Sequence, residues 1–454
     1  MKIAKLAIGV VLIGCLTAGA TWGQAPVEPA AYGYAVIQDE TVDSPSDSPP
    51  VPPVAGELAP PPDVPIIDDS NLVTQSVGAG CSSCYGAQCG ACGTCCNLGE
   101  PFRVFGTHQT TGIEVGGWIS AGGLINEWGY PDNGPLGFND NGEGFNVHQA
   151  WLHVGKQADT GGCGLDWGGQ IDYVYGIDGP DTQAFRGTGW DLGWNSSRDY
   201  GSAIPQAYAE IAMNYLTIKA GYFYTLIGYE VVQAPKNFFY SHSYTQYYIE
   251  PFTHTGAVAT YDGFENWTFH GGWTAGWDTA FENINDSSTF LGGATYSPND
   301  DVSLSYMTSV GYFGETGNDL YMHSIVLDMA LTNRLQWVIQ SDLHHQQGVG
   351  PGNQRAAAGI NQYVIYRLNE CWGAGMRFEW LHDHEGTFVT PGEAAGNFYN
   401  ITAGINWKPH ANVVFRPEVR YDWFSGNHIP GGLPFNGGQD SAQLSAGFDA
   451  IFLF

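Results

Sequence analysis

Six of the chain's nine cysteines fall between positions 81 and 96. Cys81 and Cys84 form one C-x-x-C pair, Cys89 and Cys92 form a second, and Cys95 and Cys96 are adjacent. Four thiolates at that spacing can hold one tetrahedral zinc ion. In an oxidising compartment the same thiols form a disulfide knot instead. Free or lipid-modified thiols are a third option. No cysteine pair is followed by His, so c-type haem attachment is excluded. No βαβ pattern surrounds the cluster to support thioredoxin-like redox chemistry.

Catalytic constellations are scarce. His344 and His345 stand near Asp342, and His382-Asp383-His384-Glu385 forms a second cluster. Two adjacent histidines at a strand end can bind a metal weakly. Solvated polar side chains at loop tips are the plainer reading. There is no G-x-S-x-G elbow, H-E-x-x-H or P-loop. The chain therefore reads as a non-enzyme without a cofactor.

The surrounding composition says more. Charged residues are 13% of the chain, about half the soluble norm, while aromatics are 14% and Gly numbers 63. No stretch after the first 25 residues has the length and apolarity of a spanning helix. Low charge with many aromatics suits a membrane barrel with interfacial girdles, although some secreted β proteins share it. The net charge is −30 with only 15 Lys and Arg, which argues against a nucleic-acid partner.

The N-terminus has the form of an export signal, residues 1–25. Lys2 and Lys5 precede an apolar stretch from Leu6 to Leu16, and small residues follow. Leu12-Ile13-Gly14-Cys15 also fits a lipoprotein signal, with Cys15 acylated. Residues 26–80 are a Pro-rich, acidic linker that cannot bury a core. The Cys-rich segment spans 81–100.

From about 110 to 454 the chain falls into about sixteen segments with a period of two. The last is the clearest. Leu444, Ala446, Phe448, Ala450, Phe452 and Phe454 line one face; Gln443, Ser445, Gly447 and Asp449 line the other. One face suits lipid and the other water. A lone strand would leave backbone donors and acceptors unpaired in hydrocarbon, so such strands must close into a barrel. The connections alternate long and short, from 124–144, 177–202 and 226–252 on one side to Thr332-Asn333 and 368–370 on the other. That segregation by parity marks an antiparallel, up-and-down transmembrane β-barrel. An even strand count puts both termini on the short-turn, periplasmic side. Sixteen strands give a barrel roughly 35 Å across, too wide for side chains to fill. Pro417 on an apolar face predicts a lost ladder bond or a bulge.

Strand alternation sends a set of charges inward: Lys219, Arg334, Asp342, Arg377, Glu379, Arg416, Glu418, Arg420 and Asp422. With net charge −30, the lumen is expected to prefer cations mildly. Cys163 and Cys371 fall in short turns nearly opposite around the rim. A disulfide needs Cα atoms within about 7 Å, so these two are not expected to pair. Either could meet the cluster at 81–96.

One stretch is more specific. It reads Ile204-Pro-Gln-Ala-Tyr208, Leu216 through Glu230 ending in Gly228-Tyr-Glu, Ala234-Pro-Lys-Asn237, Ser241-His-Ser-Tyr244 and Pro251-Phe-Thr-His-Thr-Gly256. This resembles the OmpL-like outer-membrane β-barrel porin family. Tyr222 and His242 stand where that family often has Lys and Arg. The resemblance implies a passive, water-filled pore for small hydrophilic solutes or ions, in outer-membrane lipid. It also implies that terminal Phe454 is the signal read by the barrel assembly machinery, and it allows a homotrimer. In sixteen-stranded porins the loop after the fifth strand commonly folds inward. Here that loop carries Glu230, Lys236, Asn237, His242 and Glu250 as constriction candidates, among seven aromatics that suit a barrel wall better than open water. The other functional class is a structural anchor or adhesive surface protein, tethered through the N-terminal segment.

Overall fold

The computed structural model describes residues 96, 98–105, 112–140, 144–184, 190–195, 199–313, 318–348 and 353–454. The expected signal, the linker and five of the clustered cysteines (Cys81, Cys84, Cys89, Cys92, Cys95) lie outside these residues.

Sixteen antiparallel strands close on themselves, each paired with its sequence neighbours and the first with the last. They are β1 (Glu114–Asn126), β2 (Asn146–Lys156), β3 (Leu165–Gly176), β4 (Gly201–Met213), β5 (Leu216–Tyr224), β6 (Thr253–Phe264), β7 (Trp267–Trp277) and β8 (Ser288–Asn299). Then follow β9 (Val302–Phe313), β10 (Asn318–Thr332), β11 (Leu335–Gln347), β12 (Gln354–Arg367), β13 (Trp372–Asp383), β14 (Ala394–His410), β15 (Val413–His428) and β16 (Ala442–Leu453). Closure is made by the alternating last strand. Leu453 faces Trp118 and Ser445 faces Asn126 across the seam. Phe454 exchanges both backbone hydrogen bonds with Gly117, at 2.9 Å each.

The expected period of two is explicit in burial. On β15, Arg416, Glu418, Arg420 and Asp422 are buried, whereas Pro417, Val419 and Tyr421 face outward. Outward aromatics stack in pairs near both ends of the strands. Trp372–Trp407 and Trp407–Phe415 lie near the short-turn end, and Tyr399–Trp423 near the other. Two such girdles flank the apolar band of a barrel in lipid.

Short turns use residues that tolerate left-handed backbone. Asn214 and Asn266 have φ of 54° and 64° in the β4–β5 and β6–β7 turns. The ladder from β15 to β14 has no pair at Pro417, as a missing N–H requires; the bulge itself lies nearer the turn, between Trp407 and His410. Two boundaries differ from the sequence-based expectation. The β14–β15 hairpin pairs on through Ala394–His428, several residues beyond where alternation faded. The connection expected at 312–319 shrinks to 314–317, because β9 and β10 keep pairing to Phe313 and Asn318.

The segment before β1 is fastened along the short-turn rim. Cys96 is disulfide-bonded to Cys371 in the β12–β13 turn, with Cα atoms 5.9 Å apart. Leu98 accepts a backbone hydrogen bond from Ala411, and the Asn412 side chain joins Phe102 to Leu453. The alternatives for Cys96 thus resolve as a disulfide. Its partner is a turn cysteine outside the cluster, and Cys163 is free and exposed. Closing a loop over the 275-residue separation should add about 2–5 kcal/mol of stability. Non-reducing peptide mapping should recover a 96–371 linked peptide, and a maleimide should label Cys163 without reductant. A 163–371 bridge would contradict the strand order.

Candidate functional site

Tyr224 ends β5 and Thr253 begins β6, and the chain between them turns into the barrel. This path is irregular, broken by Pro235, one 3-10 turn at Ala234–Lys236 and one π turn at Thr245–Ile249. Irregular backbone inside a barrel needs partners for its N–H and C=O groups. The wall supplies them, residue by residue.

On β15 the inward residues alternate in charge, and so do the loop groups they meet. Arg416 donates to the carbonyls of Ala234, Asn237 and Phe239 at 2.7, 2.7 and 3.0 Å. Glu418 accepts the N–H groups of Tyr240 and Ser241 at 2.9 and 3.2 Å. Arg420 donates to the carbonyl of His242 at 2.6 Å, and Asp422 accepts the Tyr244 hydroxyl at 2.8 Å. β13 repeats the scheme. Arg377 donates to the carbonyls of Ser241 and His242, and Glu379 accepts the N–H groups of Tyr244 and Thr245 at 2.8 and 2.7 Å. Arg377 and Glu379 are both fully buried.

Ion pairs complete the clamp. Arg377 holds Glu230 at 2.8 Å, Arg416 holds Asp449 of β16 at 2.7 Å, and Arg420 holds Asp422 at 2.8 Å. Across the seam, Gln149 of β2 pairs with Val232 and Ala234, and Tyr240 meets His148 at 2.6 Å. Gln340 of β11 donates to both Glu250 and Asp342, at 2.5 and 2.7 Å. Aromatics fill the gaps. The Phe238 ring lies over Gly375, where an added Cβ would come within 2.5 Å of it. Tyr229 packs on Tyr363 with ring centres 4.7 Å apart.

The constriction candidates therefore divide. Glu230, Asn237, His242 and Glu250 are each under a tenth exposed, and the first two and the last are hydrogen-bonded within the clamp. Burial, ahead of nearby carboxylates, holds the His242 imidazole down to about 4, so it is neutral at pH 7. Lys236 alone is exposed. Of the expected lumen charges, Arg377, Glu379, Arg416, Glu418, Arg420 and Asp422 face inward but touch the loop rather than open water. Asp342 faces inward beside Glu250. Lys219 faces inward, its ammonium 4.3 Å from the Tyr208 ring centre. Arg334 lies instead in the exposed β10–β11 turn, because β11 starts at Leu335.

The histidine clusters do not assemble a site. Adjacent strand residues point to opposite faces. His344 is buried inward against Trp277, whereas His345 alternates outward. Asp383 accepts the N–H groups of Thr387, Phe388 and Val389. Among the described residues no three His, Cys, Asp or Glu side chains form a metal-binding group. Asp449, Gln149 and the His148–Asp178 pair were not singled out from sequence. Asp449 did stand on the wet face of the last strand; the other three carried no signal beyond polarity.

A closed sixteen-stranded barrel with outward aromatic girdles, narrowed by an inward loop, defines the porin class of bacterial outer-membrane proteins. The chain belongs to one family of that class, described as "Putative beta-barrel porin-2, OmpL-like", which matches residues 112–454. Among solved structures, the anion-selective porin from Comamonas acidovorans is similar at 9% identity, with a TM-score of 0.51 over 75% of this chain and 99% of that one. The outer membrane channel DcaP of Acinetobacter baumannii is similar at 10% identity, TM-score 0.51, over 78% of this chain and 100% of that one. At these identities the likeness concerns the fold. No curated protein sequence is similar enough to match the chain.

Proposed function

We propose that the protein is a general diffusion channel, a water-filled outer-membrane pore for small hydrophilic solutes. One observation carries this reading. The lumen is narrowed by a loop fastened to one side of the wall, from β11 through β16 to β2. On the side it leaves, the inward-facing His153, Gln170, Tyr208 and Lys219 stay half-buried rather than sealed. Membership of a porin family and the porin-like fold support the same reading.

The short turns and the disulfide-fastened segment at 96–105 share one rim, which supports a periplasmic N-terminal segment. Assembly as a homotrimer is part of this reading, as are insertion by the barrel assembly machinery and surrounding lipid. Net charge alone would favour cations, but most inward acids are engaged by the loop, so the sign of selectivity must come from the groups that remain.

Liposome swelling tests the channel without reference to charge. Vesicles carrying the protein should swell in neutral monosaccharide and progressively less as the sugar lengthens. Correctly folded, inserted protein that admits no sugar would instead favour a sealed barrel acting as an anchor.

A further inference from the structure

The loop at 225–252 is buried or half-buried at every position but one, and the exception is Lys236. Its base is fixed. Pro235 beside it is buried, the Lys236 N–H bonds the carbonyl of Gln233, and Arg416 holds the Ala234 carbonyl. The Lys236 side chain is thus carried on a rigid turn facing the uncovered wall. On that wall Lys219 of β5 projects inward over Tyr208. Both Lys219 and His153 of β2 lie within electrostatic range of Lys236.

Carboxylates also occupy this wall, but they are recessed and already hydrogen-bonded. Asp172 accepts from Gln170 and Gln206 at 2.7 and 2.9 Å, and Glu210 accepts the Ala158 N–H at 2.6 Å. Both are under a tenth exposed. A passing solute therefore meets ammonium groups in front of engaged acids. Charge on the linker, outer loops and buried clamp acts weakly here, since screening falls off over about 8 Å at physiological salt. Inside a narrow, low-dielectric passage nearby charges are screened less.

We propose that Lys236, facing Lys219 across the open part of the lumen, makes this channel select small anions. The solutes favoured are small ions bearing carboxylate or phosphate groups, with chloride as the simplest probe. This inference rests on the channel reading above and replaces the mild cation preference that net charge suggested.

The test is the zero-current potential of the purified full-length chain in a planar bilayer under a KCl gradient. The expected sign is that of an anion-preferring pore, with chloride favoured over potassium roughly threefold or more. Lys236→Glu should reverse the sign, Lys236→Arg should keep it, and Lys219→Met should weaken it. A conducting parent with a cation-preferring sign overturns the proposal and leaves the channel reading intact. So does a Lys236→Glu variant indistinguishable from the parent. A protein that inserts and never conducts overturns both.

Discussion

Deleting residues 236–248 is expected to raise single-channel conductance severalfold while the barrel still folds. The deleted stretch contains most of the backbone that Arg377, Glu379, Arg416, Glu418 and Arg420 hold against the wall. A barrel of sixteen strands is roughly 35 Å across, so the loop is the main obstruction in its middle. The strand ladder does not depend on this loop, since every neighbour pair and the β1–β16 seam close independently of it. Water entering the freed lumen would hydrate the stranded wall charges, and no ion would be left buried alone. Recordings of parent and deletion variant under the same salt compare them directly. Equal conductances would mean that the loop does not set the limiting cross-section.

The second large effect is on stability. Arg377→Ala should cost about 3–5 kcal/mol, because it leaves the Glu230 carboxylate and two loop carbonyls without their donor in a buried site. The urea midpoint of the lipid-embedded protein should fall, and the open-channel current should become noisier as the loop loosens. Arg377→Lys keeps the charge but loses the planar fork, so its loss should be smaller but still measurable. Adding Glu230→Ala to Arg377→Ala should recover part of the loss, since the orphaned carboxylate goes with it. Strictly additive losses would mean that the pair is not coupled, and the clamp would then rest on the carbonyl bonds alone.

The barrel was legible because its two signals are local. A period of two assigns faces, and the parity of connection lengths assigns sides, without knowledge of any partner. Hence Arg416, Glu418, Arg420 and Asp422 were placed inward correctly. Their role was not legible, because alternation gives the direction of a side chain and not what stands opposite it. Glu418 meets Tyr240 across 178 residues of sequence, and Arg377 meets Glu230 across 147. Only the path of the loop brings them together. The same gap explains the constriction. Glu230 and Lys236 lie six positions apart and looked equivalent as charges; one is sealed against Arg377 and the other is exposed. Net charge misled for a related reason, since it counts acids whether or not an arginine or a backbone N–H has taken them up. The Cys96–Cys371 bond was likewise open in sequence, because spacing within a cysteine cluster says nothing of a turn 275 residues away.

The central claim is that this clamped barrel conducts, and single-channel recording of the purified full-length chain in a planar bilayer tests it most directly. The account predicts discrete insertion steps of uniform size, with a current that persists in the parent and grows when residues 236–248 are removed. Protein that is inserted and protected from protease, yet adds no current at any salt concentration, would contradict it.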